Sequence, residues 1–207
     1  MSYSKGHHQS RARVAHRAAV LLAAGESRRM GRPKALLPWG HSTLLEHNLQ
    51  ELVAAADQVV VVLGAYAERL RWLVRPPVQA VFNPDWPSGR VSSVLAGLRA
   101  LESPRAILIA GVDTPLAPGL AASLFEAHAA SGCPITVPTY GGRFGHPPVF
   151  DGSLLPELLG ITEEGQGLRE VLRRYPVYTL EVPYSSVLWN FNRPEDYEVA
   201  YRLVYKV

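Results

Sequence analysis

The sequence lacks the features that mark disulfide-rich, zinc-binding or membrane-spanning proteins. Cys133 is the only cysteine among 207 residues, so the chain can form neither an internal disulfide nor a cysteine-based zinc site. No apolar run approaches the roughly 18 residues that a membrane-spanning helix needs. The first residues are polar and basic and contain no apolar segment typical of a signal peptide. We therefore expect a cytoplasmic protein without a membrane partner.

Acidic residues are absent from residues 1–17, which carry four lysine and arginine residues. The formal net charge is +3, but the rest of the chain has 17 basic and 18 acidic residues and is close to neutral. We predict that residues 1–17 form a basic, disordered arm and that residues 18–207 form one folded domain. Because no basic stripe with interleaved aromatic residues follows the arm, we expect no nucleic-acid partner.

Short apolar runs alternate with helical periodicity over the first two thirds of the chain. The predicted strands are 20–24, 58–64, 78–82, 105–111 and 134–140, and the predicted helices between them are 44–53, 68–74, 91–101 and 118–130. This alternation predicts an α/β fold: a single-domain, three-layer α/β/α arrangement around a mostly parallel, Rossmann-like sheet. After Gly141 the rhythm changes to short extended pieces, a helix at 168–174, a strand at 177–182 and a closing helix at 195–204.

The first predicted strand runs into a loop that is rich in cations. Residues 25–34 carry four basic residues and one acid, Glu26. In an open parallel sheet ligands bind beyond the carboxyl ends of the strands, and glycines let the backbone approach an anion closely. Neither common phosphate loop is present, because Gly31 is followed by Arg-Pro-Lys and no G-x-G-x-x-G occurs. The loop therefore predicts a polyphosphate site of another type.

The loop has a recognisable signature. The string L-A-A-G-x-S-x-R-M-G-x-x-K over residues 22–34 resembles the opening motif of the molybdenum cofactor nucleotidyltransferases. The resemblance implies a fold like that of the nucleotide-diphospho-sugar transferases, with Arg29 and Lys34 as catalytic clamps on the triphosphate. It also implies nucleotide contacts from Ala23, Ala24, Gly25, Ser27 and Gly31.

Asp113 follows the fourth predicted strand in the string D-x-P-L, at the same edge of the sheet as the basic loop. Taken alone, this carboxylate could equally cap the next helix. The resemblance implies that it takes part in catalysis by holding Mg²⁺, an ion that prefers oxygen ligands. The string L-W-N-F-N-R-P-E-D-Y at 188–197 resembles a family element with acids in cytidylyl-type members and asparagines in guanylyl-type members. Asn192 is therefore predicted as a second, uncharged contact, either as a metal ligand or to a phosphate.

Several segments favour the cytidylyl branch. The opening motif reads L-A-A-G rather than L-A-G-G, and the methyl group of Ala24 could favour a smaller pyrimidine base. The segments 83–98, 140–150 and 165–169 are similar to further motifs of that branch. They imply nucleotide contacts from Asn83 and Ser92. Residues 88–90 also precede a predicted helix. Taken alone, this helix start could equally be an anion site with free backbone N–H groups or a simply capped helix.

The acceptor side is predicted from the same resemblance. Its candidate residues are Arg143, His146, Arg169 and Asn190. Trp72 and Trp86 are interpreted as packing residues. The sequence thus predicts Mg²⁺-dependent transfer of CMP from CTP to the phosphate of molybdopterin, with release of pyrophosphate and with a recipient molybdoenzyme or its chaperone as a further partner. Three alternatives stay open: guanylyl transfer from GTP, transfer to a sugar phosphate or other small phosphorylated acceptor, and a non-catalytic nucleotide- or cofactor-binding chaperone.

Overall fold

The computed structural model describes residues 17–206. The first strand begins at Arg17, which the sequence had assigned to the arm, so the boundary lies one residue earlier than predicted. The other residues of the predicted arm, 1–16, lie outside the described residues. Within 17–206 no helix is both long enough and apolar enough to cross a bilayer.

The centre of the molecule is one mostly parallel sheet. Its strands are β1 (Arg17–Ala23), β4 (Gln58–Leu63), β5 (Gln79–Phe82), β6 (Ala106–Gly111), β7 (Ile135–Tyr140), β8 (Arg143–Phe144), β9 (Val149–Asp151) and β10 (Val177–Glu181), and a separate hairpin joins β2 (Pro38–Trp39) to β3 (Ser42–Thr43). The order across the sheet is β10-β7-β9-β6-β1-β4-β5, with β8 attached to β7. Only β8 and β9 run antiparallel to their neighbours in this sheet.

Helices cover both faces of the sheet. They are α1 (Leu44–Ala55), α2 (Ala67–Leu70), α3 (Arg90–Arg99), α4 (Leu120–Ser131), α5 (Leu155–Leu159), α6 (Leu168–Arg174) and α7 (Pro194–Tyr205). Alternate residues of β1 point to opposite faces, so Leu21 joins a core cluster with residues of α1 and α4. Val20 joins a second cluster with residues of α3, α5 and α6. The three-layer α/β/α prediction is therefore confirmed.

The register of β1 brings the functional loops to one edge of the sheet. Leu22 lies opposite Gly111 of β6, and Ala23 lies opposite Leu63 of β4. The three strands therefore end at nearly the same level, and the loops that follow them meet there. A third core cluster, which includes Met30, Trp39 and Phe191, joins the segment after β1 to the C-terminal helix α7.

Two local predictions differ from the structure. The predicted helix 68–74 is a four-residue α2 followed by a 3-10 turn at Arg71–Leu73. Trp72, expected to pack, is 62% exposed, and the guanidinium of Arg71 covers one face of its ring at 4.6 Å. Trp86 does pack against the second core cluster. The difference for Trp72 arises because a short helix and turn at the sheet edge leave one side open to solvent.

Candidate functional site

A cavity of about 430 Å³ opens where β1 and β6 end. Its walls come from the loop after β1, the beginning of α3 and the segment that follows β6. Seven residues predicted for the site line this cavity: Ala24, Gly25, Ser27, Arg29, Lys34, Asp113 and Asn192. The tertiary fold therefore brings together residues that lie up to 168 positions apart in the sequence.

Lys34 is the centre of the polar contacts in this cavity. Its ammonium donates to Asp113 Oδ2 at 3.0 Å and to Asn192 Oδ1 at 3.1 Å. Arg29 also donates to Asn192 Oδ1, at 3.2 Å. The side chains of Lys34 and Asp113 are only 12% and 19% exposed, so their attraction is screened less than that of a surface ion pair.

The loop after β1 is shaped by two residues in the left-handed backbone region. Ser27 has φ 57° and Gly31 has φ 71°, on either side of a 3-10 turn at Arg28–Met30. The Ser27 hydroxyl accepts the backbone N–H of Lys34 at 3.2 Å, and Met30 is buried in the third core cluster. These contacts fold the loop back on itself so that Arg29 and Lys34 reach the same cavity.

Asp113 is positioned both by a residue close to it in the sequence and by a segment far from it in the sequence. Gly111 leaves space for the carboxylate, because a Cβ at Gly111 would stand 2.5 Å from Asp113 Oδ1. The backbone carbonyl of Asp113 accepts the N–H of Phe191 at 2.9 Å. The backbone N–H of Asn192 donates to Asp196 Oδ2 at 3.2 Å. Asp113 and Asn192 are therefore held side by side by contacts from outside the cavity.

The donor set fits a hard divalent cation. Asp113 Oδ2 and Asn192 Oδ1 both accept hydrogen bonds from the ammonium of Lys34. A carboxylate oxygen and an amide oxygen therefore face one point, and a cation already lies there. Mg²⁺ and Mn²⁺ accept such oxygen ligands and complete their coordination with water and phosphate oxygens. Within residues 17–206 no group of three or more His, Cys, Asp or Glu side chains could hold a metal. A bound ion would therefore share its coordination with the ligand.

Four predicted nucleotide contacts lie outside the cavity lining. Ala23 is buried in the core cluster on the α1 side of the sheet, and Gly31 ends the 3-10 turn. Asn83 is 3% exposed, and its amide donates to the hydroxyls of Ser92 and Ser93 at 2.9 and 3.1 Å. Direct contact with a nucleotide stays a prediction for these four residues. Ser93, rather than Ser92, lines the cavity.

The beginning of α3 differs from the prediction of an open anion site. The carboxylate of Glu163 accepts the N–H of Val91 at 2.6 Å. A side chain from the segment before α6 thus satisfies a free donor that would otherwise face a ligand. The local sequence shows where the helix begins, but only the tertiary fold shows that the carboxylate of Glu163 reaches the first turn of the helix.

The predicted acceptor residues are spread over three places. Arg143 is exposed on β8, and Asn190 borders a separate groove beside α7. His146 has an exposed side chain, yet crowding by protein atoms and then the charge of Arg90 lower its pKa, with Arg169 adding to this effect. Asp113 acts in the opposite direction and raises the pKa of His146. Of the predicted acceptor residues, His146 therefore feels the charges of two cavity residues, Arg90 and Asp113.

Sequence reasoning did not identify four functional candidates. Arg90, Ser93 and Gly111 line the cavity, and Glu163 accepts a hydrogen bond at the start of α3. Two of them had a visible signal, because Gly111 ends a buried strand and Arg90 follows a loop. The packing of the 161–167 segment onto α3 left no local signal in the sequence.

Gly111 provides a test of how tightly Asp113 must be held. Gly111→Ala is expected to lower turnover by up to about a hundredfold, because the new methyl group displaces the Asp113 carboxylate and small misplacements of catalytic groups are costly. Steady-state kinetics and the melting temperature measure the two effects separately. Gly160→Ala is the matched control, since its φ of -93° suits alanine, a Cβ there meets the nearest atoms only at 3.5 and 3.7 Å, and Gly160 does not line the cavity. An unchanged turnover in Gly111→Ala would show that Asp113 need not occupy this position.

The chain is similar in sequence and in fold to several known proteins. Nicotine blue oxidoreductase of Paenarthrobacter nicotinovorans is 38% identical over 169 residues, which cover 76% of this chain and 81% of that protein. Molybdenum cofactor cytidylyltransferase of Escherichia coli K12 is 24% identical over 184 residues, covering 87% and 93%. The crystal structure of Rv0371c from Mycobacterium tuberculosis H37Rv superposes with a TM-score of 0.80 at 25% identity and covers 92% of this chain and 100% of that one.

The same mycobacterial protein has also been solved in complex with manganese. That structure has a TM-score of 0.72 at 25% identity and covers 90% of this chain and 98% of its own. The family model described as the MobA-like NTP transferase domain matches residues 19–179. This match spans most of the described chain and confirms the resemblance seen in the loop after β1. The chain therefore belongs to the MobA-like NTP transferase family and is a nucleotidyltransferase of that family.

Proposed function

We propose that this protein transfers CMP from CTP to the phosphate of molybdopterin and releases pyrophosphate. The observation that carries the proposal is the meeting of Arg29 and Lys34 with Asp113 and Asn192 in one cavity. Two cations next to two oxygen donors suit a triphosphate that arrives with a divalent ion. The cytidylyltransferase relative supports the choice of nucleotide and acceptor.

The chemistry asks the protein for positioning and charge neutralisation. Arg29 and Lys34 would stabilise the charge that develops on the departing pyrophosphate. A divalent ion, Mg²⁺ or Mn²⁺, held by Asp113 and Asn192 would neutralise phosphate charge when it is bound. The acceptor phosphate is already anionic, so the reaction needs no general base. The loop backbone at Gly25 and Ser27 would lie under the phosphates.

Ala24 is proposed to favour the pyrimidine. It lines the cavity, and its methyl group lies against the bare backbone of Gly64. Ala24→Gly is expected to raise the GTP/CTP specificity ratio by about tenfold, since one methyl group in a pocket has an effect of that order. Competition between CTP and GTP measures the ratio. Ala23→Gly is the control, because Ala23 faces the opposite side of the sheet. Equal GTP/CTP specificity ratios in both variants would show that Ala24 does not determine the choice of nucleotide.

The direct test supplies molybdopterin with each of the four nucleoside triphosphates and Mg²⁺ or Mn²⁺. Pyrophosphate release with CTP supports the proposal. Release with GTP alone favours guanylyl transfer, which is also consistent with the asparagines at positions Asn190 and Asn192. Release only with a sugar phosphate or another phosphorylated compound would show that this compound, and not molybdopterin, is the acceptor. Nucleotide-dependent thermal stabilisation without pyrophosphate release favours a chaperone that delivers its ligand to a molybdoenzyme.

A second candidate is a redox reaction of nicotine blue, which the name of the 38% identical relative suggests. Cys133 is the only cysteine and does not line the cavity, so this reaction would need electrons from a bound cofactor or a cosubstrate. Absorbance of nicotine blue, followed with the protein and NADH or NADPH, tests this candidate. A protein-dependent colour change without nucleotidyl transfer would favour the redox reaction, and the reverse result would exclude it.

A further inference from the structure

Asn48 is a buried polar residue on the apolar face of α1. It is 0% exposed and stands among Leu44, Leu45, Leu49 and Leu52, which are buried on the same helix. A buried amide costs free energy unless its donors and its acceptor are bonded, and an apolar residue would pack there without that requirement. Asn48 does not line the cavity, so the partners of its amide have to account for a polar group at this place.

Within residues 17–206, every hydrogen bond of the Asn48 side chain joins it to the segment that follows β6. Nδ2 donates to the carbonyl oxygens of Val112 and Thr114, at 3.5 and 3.3 Å, and Oδ1 accepts the backbone N–H of Leu116 at 2.9 Å. Val112 and Thr114 are the two neighbours of Asp113 in the sequence. Because a primary amide has two N–H donors and an acceptor oxygen, this one side chain bonds the backbone on both sides of Asp113.

The same segment is also bonded to the residues that precede Asn192. The hydroxyl of Thr114 donates to the carbonyl oxygen of Trp189 at 2.8 Å, and the carbonyl oxygen of Asp113 accepts the N–H of Phe191 at 2.9 Å. Asp113 and Asn192, the two proposed metal ligands, therefore belong to segments that are bonded to each other. Through the backbone of Thr114, both segments are connected to Asn48 on α1.

Two further residues of α1 hold later parts of the segment after β6. His47 Nε2 lies 2.8 Å from the carbonyl oxygen of Leu116, and Glu51 Oε2 accepts the N–H of Gly119 at 2.9 Å. These contacts involve residues that follow Asp113 at some distance, whereas Asn48 bonds to the residues directly beside it. The helix α1 thus fixes this segment at several points, and the contacts of Asn48 are the closest of these in sequence to Asp113.

We propose that Asn48 is a positioning residue for nucleotidyl transfer, because it fixes the backbone on both sides of Asp113 and thereby the separation of Asp113 from Asn192. This inference rests on the metal-binding role proposed for those two residues. Side chains that hold metal ligands in place without touching the metal change metal affinity or activity by about tenfold to a hundredfold when they are replaced. Asn48 contacts neither the nucleotide nor the metal and acts through Asp113.

Asn48→Leu tests this role, because leucine suits a buried helix position but offers no hydrogen bond. We expect the Kd for Mn²⁺, measured by calorimetry without nucleotide, to rise about tenfold or more. The Mn²⁺ concentration for half-maximal pyrophosphate release should rise with it. A purely structural role predicts another result, because a smaller fraction of folded protein lowers the maximal turnover and leaves the Mn²⁺ dependence unchanged.

Further variants separate the contacts of the segment after β6. Glu51→Gln is the matched control on the same helix, since it changes the contact with Gly119 and should leave both Mn²⁺ constants within about twofold. Thr114→Val removes the hydroxyl that donates to Trp189 and should raise both constants, as Asn48→Leu does. The melting temperature shows whether each variant folds. If Asn48→Leu does not fold, Asn48→Ser, which also lacks the two N–H donors of the amide, is measured with the same expectation.

The outcomes distinguish this role from the proposed function. Unchanged Mn²⁺ constants in the folded Asn48 variant, together with raised constants in Asp113→Asn, would overturn the role of Asn48 alone. Unchanged constants in Asp113→Asn would overturn the metal site and, with it, this inference. Failure of transfer to molybdopterin, with the expected rise in the Kd for Mn²⁺ in Asn48→Leu, would overturn only the proposed acceptor.

Discussion

Asp113→Asn is expected to lower turnover by about a hundredfold or more, because it removes the negative charge on which the metal and the phosphates are aligned. The carboxylate is the charged member of the donor pair with Asn192, and the asparagine would leave two neutral amides there. Lys34, which now donates to Asp113 at 3.0 Å, would also lose its anionic partner. The effect should therefore appear in kcat and in the apparent affinity for the metal.

Pyrophosphate release at saturating nucleotide and varied Mn²⁺ concentration measures both changes. Glu126→Gln is a suitable control, because it makes the same change from acid to amide at an exposed position of α4. The melting temperature of each variant shows whether the fold is intact. Near-normal turnover in Asp113→Asn, with folding preserved, would contradict the mechanism proposed for this cavity.

Lys34→Ala is expected to have two effects of opposite sign. Turnover should fall by about a hundredfold or more, because the departing pyrophosphate loses a cation that stabilises its charge. Binding of Mn²⁺ in the absence of nucleotide should become tighter. The ammonium lies between Asp113 Oδ2 and Asn192 Oδ1, which are the proposed metal ligands, so its removal leaves both oxygens free for the ion.

Calorimetric titration of Mn²⁺ and steady-state kinetics measure the two effects independently. Arg32→Ala is the control, because Arg32 belongs to the same loop but its guanidinium lies over the ring of Tyr197 at 5.7 Å and outside the cavity lining. A general loss of loop structure would weaken both functions together. Weaker or unchanged Mn²⁺ binding in Lys34→Ala would show that the ammonium does not occupy the position of a metal.

The order of strands along the chain was largely predictable, whereas their order across the sheet was not. The apolar core of the run 58–64, residues 59–63, is typical of a buried parallel strand, and the position of the run agrees with β4. The strand β9 joins between β6 and β7 and runs antiparallel to both. Its three residues show no pattern that names a partner, because strand pairing depends on contacts between distant segments.

The candidate site shows the same division. Topology alone placed Asp113 and the basic loop at one edge, since parallel strands end there together. The contact of Lys34 with both Asp113 and Asn192, and the position of Arg90 beside Gly111, depend on side-chain directions that a motif does not specify. Glu163 shows this most clearly, because its contact with Val91 spans 72 residues.

The sequence by itself therefore determined the layered α/β fold, the cation-rich loop after β1 and the family, because apolar periodicity and a dense local motif are written in neighbouring residues. Only the tertiary structure decided which residues share the cavity and which of them already have partners. Those properties arise from the packing of α3, α6 and α7 around the ends of β1 and β6. They are relations between segments that lie far apart in the chain.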